Sequence, residues 1–200
     1  IGPALATEWT ALDPTTWRFK LRENVRFSNG EVFDAAAATF TFDYLSSKEG
    51  RASVIGARVR DIVAVETPDP TTLIIKTKTP DAGLPLRLPS VLMVPPQAWR
   101  TLGREKLAQA PIGTGPYRIT AWQERTRRIQ LAANPFAWRK PLIENLEIIE
   151  IAEESVRVQA LISGEVDIAR VGIDDRSLLQ ARGIELSATP SYQVMSIALR

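Results

Sequence analysis

Trp17-Arg18-Phe19-Lys20-Leu21-Arg22 is followed almost directly by Val25-Arg26-Phe27-Ser28-Asn29-Gly30. In the first phrase Trp17, Phe19 and Leu21 fall on one side, and Arg18, Lys20 and Arg22 on the other. That two-residue period is the mark of a strand with one face buried. Ser28-Asn29-Gly30 is turn chemistry, with glycine free to take a positive φ. Asp34 then precedes an alanine run and the apolar Phe40, Phe42 and Leu45, which predicts an N-capped helix over about 35–47. Strand, turn and capped helix in immediate succession point to an α/β (mixed α+β) fold.

Working outward, two β-rich runs at about 59–66 and 71–77 are joined through Pro68-Asp69-Pro70, the chemistry of a hairpin. The stretch 84–96 is apolar but carries Pro85, Pro89, Pro95 and Pro96. It predicts a packed loop or a short strand near 91–94, then a short helix over 97–107. Proline and glycine crowd 110–115 and mark a boundary near 112. Beyond it the pattern predicts strands at 117–122, 129–133 and 146–151. A helix over 153–163 is stopped by Gly164 in a left-handed conformation. A short buried strand at 166–169, a helix over 174–182 and strands at 185–188 and 193–199 complete the reading. No internal repeat is visible.

The composition removes several kinds of chemistry. The chain of 200 residues has neither cysteine nor histidine. A thiolate nucleophile, a disulfide, a Ser-His-Asp triad and the common His- or Cys-ligated metal sites are therefore excluded. Neither a metal nor a cofactor is expected. The net charge is only +2, and the densest basic cluster, Arg125, Arg127 and Arg128, reads as a solvated hairpin. No interleaved aromatics accompany it, so nucleic acid is not an expected partner. No stretch approaches the roughly 20 apolar residues that span a bilayer. The adjacent acids Glu153/Glu154 and Asp174/Asp175 suit helix N-termini through the helix dipole, and no enzyme is expected.

Four phrases resemble the extracytoplasmic solute-binding proteins of family 5, the dipeptide-, oligopeptide- and nickel-type receptors of ABC importers. The first runs from Leu5-Ala6-Thr7-Glu8-Trp9 through Trp17–Arg22 to Val25–Gly30, similar to the family's "F-x-L-R" and "V-x-F-x-D/N-G". The second is Pro111-Ile112-Gly113-Thr114-Gly115-Pro116-Tyr117, the third Asn134-Pro135-Phe136-Ala137-Trp138, and the fourth Ser163-Gly164-Glu165-Val166-Asp167. They occur in family order and cover nearly the whole chain. Two positions depart from the pattern: Ala37 stands where Asp is usual, and Ala137 replaces a tyrosine.

The resemblance implies a type II periplasmic-binding-protein-like lobe. Residues 1–112 would be most of the extra subdomain of the first lobe, and 113–200 part of its ligand-binding portion. Relatives are far longer, which implies a strand before Ile1 and a second lobe after 200. Sheet edges left without those partners would weaken the piece in isolation or make it associate. The implied function is capture of a peptide or related small solute between two lobes, and delivery to a membrane permease. The implied place is periplasmic or extracytoplasmic, tethered to the membrane in Gram-positive bacteria, with the full-length protein a monomer. Dipeptide, oligopeptide and nickel chelate stay open as solutes. The ligand-sensing domain of a transcriptional regulator with the same fold is the alternative. Cleft walls would come from the loop at 89–93, with Ser90 and Met93, from the loop at 171–174, with Ile173, and from a strand entry carrying Tyr192 and Gln193. Tyr192 and Gln193 suit either a peptide contact or ordinary strand-end packing.

Overall fold

The computed structural model describes residues 2–187. The chain divides into two compact units, Ile1–Ile148 and Ile149–Arg200.

In the first unit β1 (Ala6–Asp13) and β2 (Thr16–Leu21) form a hairpin, and α1 (Ala35–Ser46) follows the Ser28–Gly30 turn. Two short helices, α2 (Lys48–Arg51) and α3 (Val54–Arg58), lead into the β3 (Ile62–Asp69) and β4 (Thr72–Thr77) hairpin. The four strands make one antiparallel sheet in the order β1-β2-β4-β3. The alternation read from β2 holds, since Phe19 and Leu21 are buried while Arg18 and Lys20 are exposed. α1 begins where its cap residue predicts: the Asp34 carboxylate accepts from the Ala37 N–H at 2.9 Å and satisfies one of the helix's free donors. Phe42 and Leu45 of α1 join Phe19, Leu21, Phe27 and Ile75 in a single core. Phe27 is fully buried and meets Phe33 edge-on, with ring centroids 6.0 Å apart. Such burial of one phenylalanine contributes about 2–3 kcal/mol.

The four-stranded sheet contains a short repeat that the sequence reading passes over. Asp13-Pro14-Thr15-Thr16 closes the first hairpin and Asp69-Pro70-Thr71-Thr72 the second. In both turns the aspartate Oδ1 accepts from the backbone N–H and the hydroxyl of the threonine two residues on, each at 2.8 Å. Thr16 opposes Lys76 and Lys20 opposes Thr72, so the two turns lie at opposite ends of the central strand pair. The hairpins are thereby related by a local two-fold near Arg18 and Ile74.

Three expectations for this unit change. Residues 59–61 are not strand: α3, capped by Ser53 through the Gly56 N–H, ends at Arg58 with Val59 as its C-cap, and a turn leads into β3. Residues 91–94 are not strand either. Pro85 and Pro89 occupy the opening positions of α4 (Leu84–Arg87) and of a 3-10 turn, Leu88–Ser90, where a missing N–H costs nothing. The chain then runs extended through Val94, whose N–H reaches the Thr41 hydroxyl at 3.2 Å. Finally, α5 (Pro96–Gln109) is longer than expected and kinks at Gly103, with φ 77° and ψ 167°. That region of backbone space is essentially reserved for glycine.

A second sheet of the same unit has the order β5-β6-β7, from β5 (Tyr117–Gln123), β6 (Arg128–Ala133) and β7 (Asn145–Ile149). Arg125 and Arg127 sit at the β5–β6 hairpin tip as the sequence suggests, and Arg128 pairs with Glu147 at 2.8 Å.

The second unit contains α6 (Glu154–Ser163), ended by Gly164 at φ 75°, and α7 (Arg176–Ala181), followed by Gly183. Gly164 adopts the left-handed cap conformation expected of it. Residues 166–169 are not strand, and neither are 185–187. Ile168 is exposed, and a strand forms only where another chain segment completes its hydrogen bonds. The strand expected at 193–199, with Tyr192 and Gln193, lies outside the described residues.

Candidate functional site

The first unit holds a largely apolar cavity of about 860 Å³. Its floor is the inner side of the first sheet and α1, with Leu5, Trp9, Phe42 and Leu45. One wall is the segment after α4, from Leu88 to Pro95; another is α5, through Trp99 and Leu107. The Pro111–Gly115 loop lines it as well. The α1 and α5 sides meet in an aromatic contact, Tyr44 on Trp99 with centroids 4.7 Å apart, and Phe40 approaches the other part of Trp99 at 6.4 Å.

Polar groups around the cavity are mostly committed to the protein itself. The Thr41 hydroxyl donates to Ala37 O and accepts from Val94, tying the wall to α1. Ser90 Oγ donates to Arg87 O at 2.7 Å, and Ser53 Oγ to Gly50 O at 2.6 Å. Among the described residues, Arg104 is the one charged residue on the lining. Its guanidinium bonds to the Glu49 carboxylate at 2.5 Å, and that hydrogen bond raises the arginine pKa above its ordinary value. By contrast, the backbone N–H groups of Leu92, Met93, Thr114 and Gly115 have no protein partner among the described residues.

The Pro111–Gly115 loop, itself one of the four family-like phrases, is held by two of the others. Ser28 N–H donates to Gly113 O at 2.8 Å. The buried Asn134 donates through Nδ2 to Gly115 O at 2.8 Å, while its Oδ1 accepts from the Phe136 N–H at 3.0 Å. The Phe136 ring in turn lies against Gly30, 3.5 Å from where a β-carbon would stand. The Trp138 ring carries the Arg22 guanidinium at 4.1 Å. Gly113 and Gly115 have ordinary negative or extended φ, and a side chain on either would meet no close atom. Their smallness leaves the loop backbone open rather than relieving a clash.

Of the residues read as cleft contacts, Ser90 and Met93 both line this cavity. The Ser90 hydroxyl is spent on its own turn, while Met93 packs partly on the core. Ile173 is 80% exposed in the second unit, just ahead of α7. Tyr192 and Gln193 are outside the described residues. Leu92, Tyr44, Trp99 and Thr114 line the cavity without having been singled out. Leu92 sits between two expected residues, but nothing in a run of apolar residues tells which of them turns outward. Tyr44 and Trp99 lie on α1 and α5 and meet in the ring contact described above. In the second unit Glu154 accepts from the Gly172 N–H at 2.8 Å and lies 3.7 Å from Arg157. That is a structural post, and it accounts for an acid of the Glu153/Glu154 pair without chemistry.

Comparison with known proteins agrees with this architecture. A Brucella ovis protein, provisionally named an ABC transporter peptide-binding protein, is 34% identical over 172 residues, covering 82% of this chain and 32% of its own length. The glutathione-binding protein GsiB of Escherichia coli K12 is 29% identical over 202 residues, covering 98% of this chain and 39% of its own length. The crystal structure of NikZ from Campylobacter jejuni in complex with Ni(L-His) superposes with a TM-score of 0.79 at 26% identity, over 89% of this chain and 36% of that one. The chain therefore spans about a third of the length of the relatives it matches, and its mixed α/β fold is part of a type II periplasmic binding protein structure. Residues 1–200 match throughout the family described as bacterial extracellular solute-binding proteins, family 5 Middle, and the chain belongs to that family.

Proposed function

We propose that the protein containing this chain is the solute-binding component of an ABC importer. It takes a peptide or related small solute into a cleft between two lobes, outside the cytoplasm, and passes it to a membrane permease. Residues 1–112 serve as the extra subdomain of the first lobe, and 113–200 contribute to its ligand-binding part. The family binds solutes rather than transforming them. The observation that carries the reading is the cavity itself: about 860 Å³, largely apolar, and lined in part by the Pro111–Gly115 loop, which carries one of the family-like phrases. That volume lies within the roughly 300–1,000 Å³ of small-molecule sites. Ser90 and Met93 are proposed contacts from this side; Ile173, Tyr192 and Gln193 are proposed on sequence grounds alone. Ligand contacts to both lobes would favour the closed form, since a solute shifts such an equilibrium only by its differential affinity for the two states.

Native mass spectrometry of the gently purified full-length protein, compared with its denatured mass, tests this. The expected result is one or more small solutes that leave on denaturation. A protein that carries no solute, takes up none from a panel of peptides and metal chelates, and instead retains DNA is a regulator, and the proposal falls.

A further inference from the structure

We infer that the loop 135–143, which joins β6 to β7, docks on an anionic lipid surface, with Leu142 entering the headgroup layer and Arg139 and Lys140 meeting lipid phosphates. The first observation is apolar exposure concentrated in one short stretch. Phe136, Trp138, Leu142 and Ile143 are all exposed, and Leu142 is fully so, at 101%. Single exposed leucines are ordinary on any protein surface, but large apolar side chains gathered in one loop make a patch. The second observation is charge. Arg139 and Lys140 stand between these residues, exposed and without a hydrogen-bond or ion-pair partner among the described residues. Both border one groove, together with Trp138 and Leu142. The Arg22 guanidinium donates to Ala4 O and lies 4.1 Å over the Trp138 ring, which brings a third cation to the same place. Glu144 is the one acid between 134 and 144.

The loop is also fixed at its base. Asn134 is buried, the Ala133 N–H donates to Glu144 O at 2.7 Å, and the Tyr117 hydroxyl donates to Ile143 O at 3.1 Å. Aliphatic and aromatic groups flanked by arginine and lysine suit a bilayer interface: the apolar groups leave water at the acyl boundary, and the cations are drawn to anionic headgroups. A protein partner fits less well, because a specific contact covers roughly 800 Å² on each side and this tip is a single loop. Such docking would hold a solute receptor at the membrane that carries its permease.

The test is flotation of the full-length protein, produced without lipid modification, on phosphatidylcholine vesicles with and without phosphatidylglycerol. The wild type is expected to float with the phosphatidylglycerol vesicles at least tenfold more than with phosphatidylcholine alone. It should be released at about 1 M salt, where screening acts within roughly 3 Å. Leu142→Asp, and Arg139→Glu combined with Lys140→Glu, are each expected to cut binding tenfold or more, with thermal unfolding unchanged. No preference for the anionic vesicles overturns the inference, as does wild-type binding in either variant. Retention on immobilised polyglutamate but not on vesicles overturns it too, and assigns the loop to an acidic protein. Native mass spectrometry of the same samples keeps the two readings apart. A protein that carries solute but ignores vesicles loses only this inference, and one that binds vesicles but carries and takes up no solute loses only the receptor reading.

Discussion

Two aspartates show how much a single side chain settles here. Asp13 and Asp69 each gather a threonine N–H and hydroxyl on one carboxylate oxygen, and thereby close the two hairpins of the first sheet. The Thr72 hydroxyl, followed by the Thr71 N–H, holds the Asp69 carboxyl at about 2, below its ordinary 3.8; Asp13 is lowered in the same direction, chiefly by the Thr15 N–H. A depressed folded pKa stabilises above the unfolded value, and that contribution fades as pH falls from about 3.8 through about 2. Carboxyl NMR is expected to show Asp69 titrating near 2. The stability difference between wild type and Asp69→Asn should be greatest above pH 4 and shrink toward pH 2. A normal Asp69 midpoint would mean that the turn does not form as described. The turn residues themselves were legible in the sequence at Pro68-Asp69-Pro70. Their recurrence at Asp13-Pro14 was not, because four residues are too short a pattern to stand out until both are seen doing the same thing.

At the scale of elements, α5 depends on a residue far away in sequence. Its N-cap is Pro95, which has no side-chain donor or acceptor to offer. Glu31, from the turn after Ser28-Asn29-Gly30, supplies the cap instead, its two carboxylate oxygens accepting from Gln97 and Ala98 N–H at 2.8 and 2.9 Å. The Asn29 amide steadies Glu31 Oε1 at 2.6 Å. Glu31→Ala is expected to cost about 1–2 kcal/mol, the range for removing a helix cap, and Glu31→Gln less, because one acceptor oxygen remains. A shift of the urea midpoint with an unchanged slope measures it, and a wild-type midpoint in Glu31→Ala would discount the remote cap. Sequence reading places this helix after the proline-rich stretch but gives no hint of its cap, since capping signals are sought within a few residues of the helix. The prolines at 85 and 89 mislead for a related reason. They exclude a helix interior, yet they suit a first turn, and only the chain's path decides which position each occupies.

For the molecule as a whole, the second sheet is informative. Tyr117, Ile119 and Trp122 on β5 lie opposite Ala133, Leu131 and Ile129 on β6, so one face is continuously apolar. Glu147 reaches Arg128 and Gln130 on the other face, which turns Leu146 and Ile148 of β7 toward the apolar side. Trp122, Leu146 and Ile148 are all exposed, Ile148 by 49%. Among the described residues β1 and β3 end the first sheet and β5 and β7 the second, and exposed edges beside apolar surface invite pairing. Residues 1–200 produced alone are expected to elute above their monomer mass and to bind a hydrophobic dye. Leu146→Lys with Ile148→Lys should reduce both effects. A monodisperse wild-type monomer with no dye binding would show that this face is covered within the piece itself.

The sequence by itself determined the strand–turn–helix order of the first unit, the capped start of α1, the left-handed stop at Gly164 and, through four phrases in series, the family. All of these follow from local periods and from the conformational preferences of a few residue types, which act over neighbouring residues only. Tertiary structure alone decided that 91–94 lines a cavity rather than forming a strand, that 166–169 is not a strand among the described residues, and that Glu31 caps α5. It also brought Gly113, Gly115, Asn134 and Gly30 together around one loop. These outcomes depend on which hydrogen-bonding and packing partners arrive from distant parts of the chain, and a linear pattern does not contain that information.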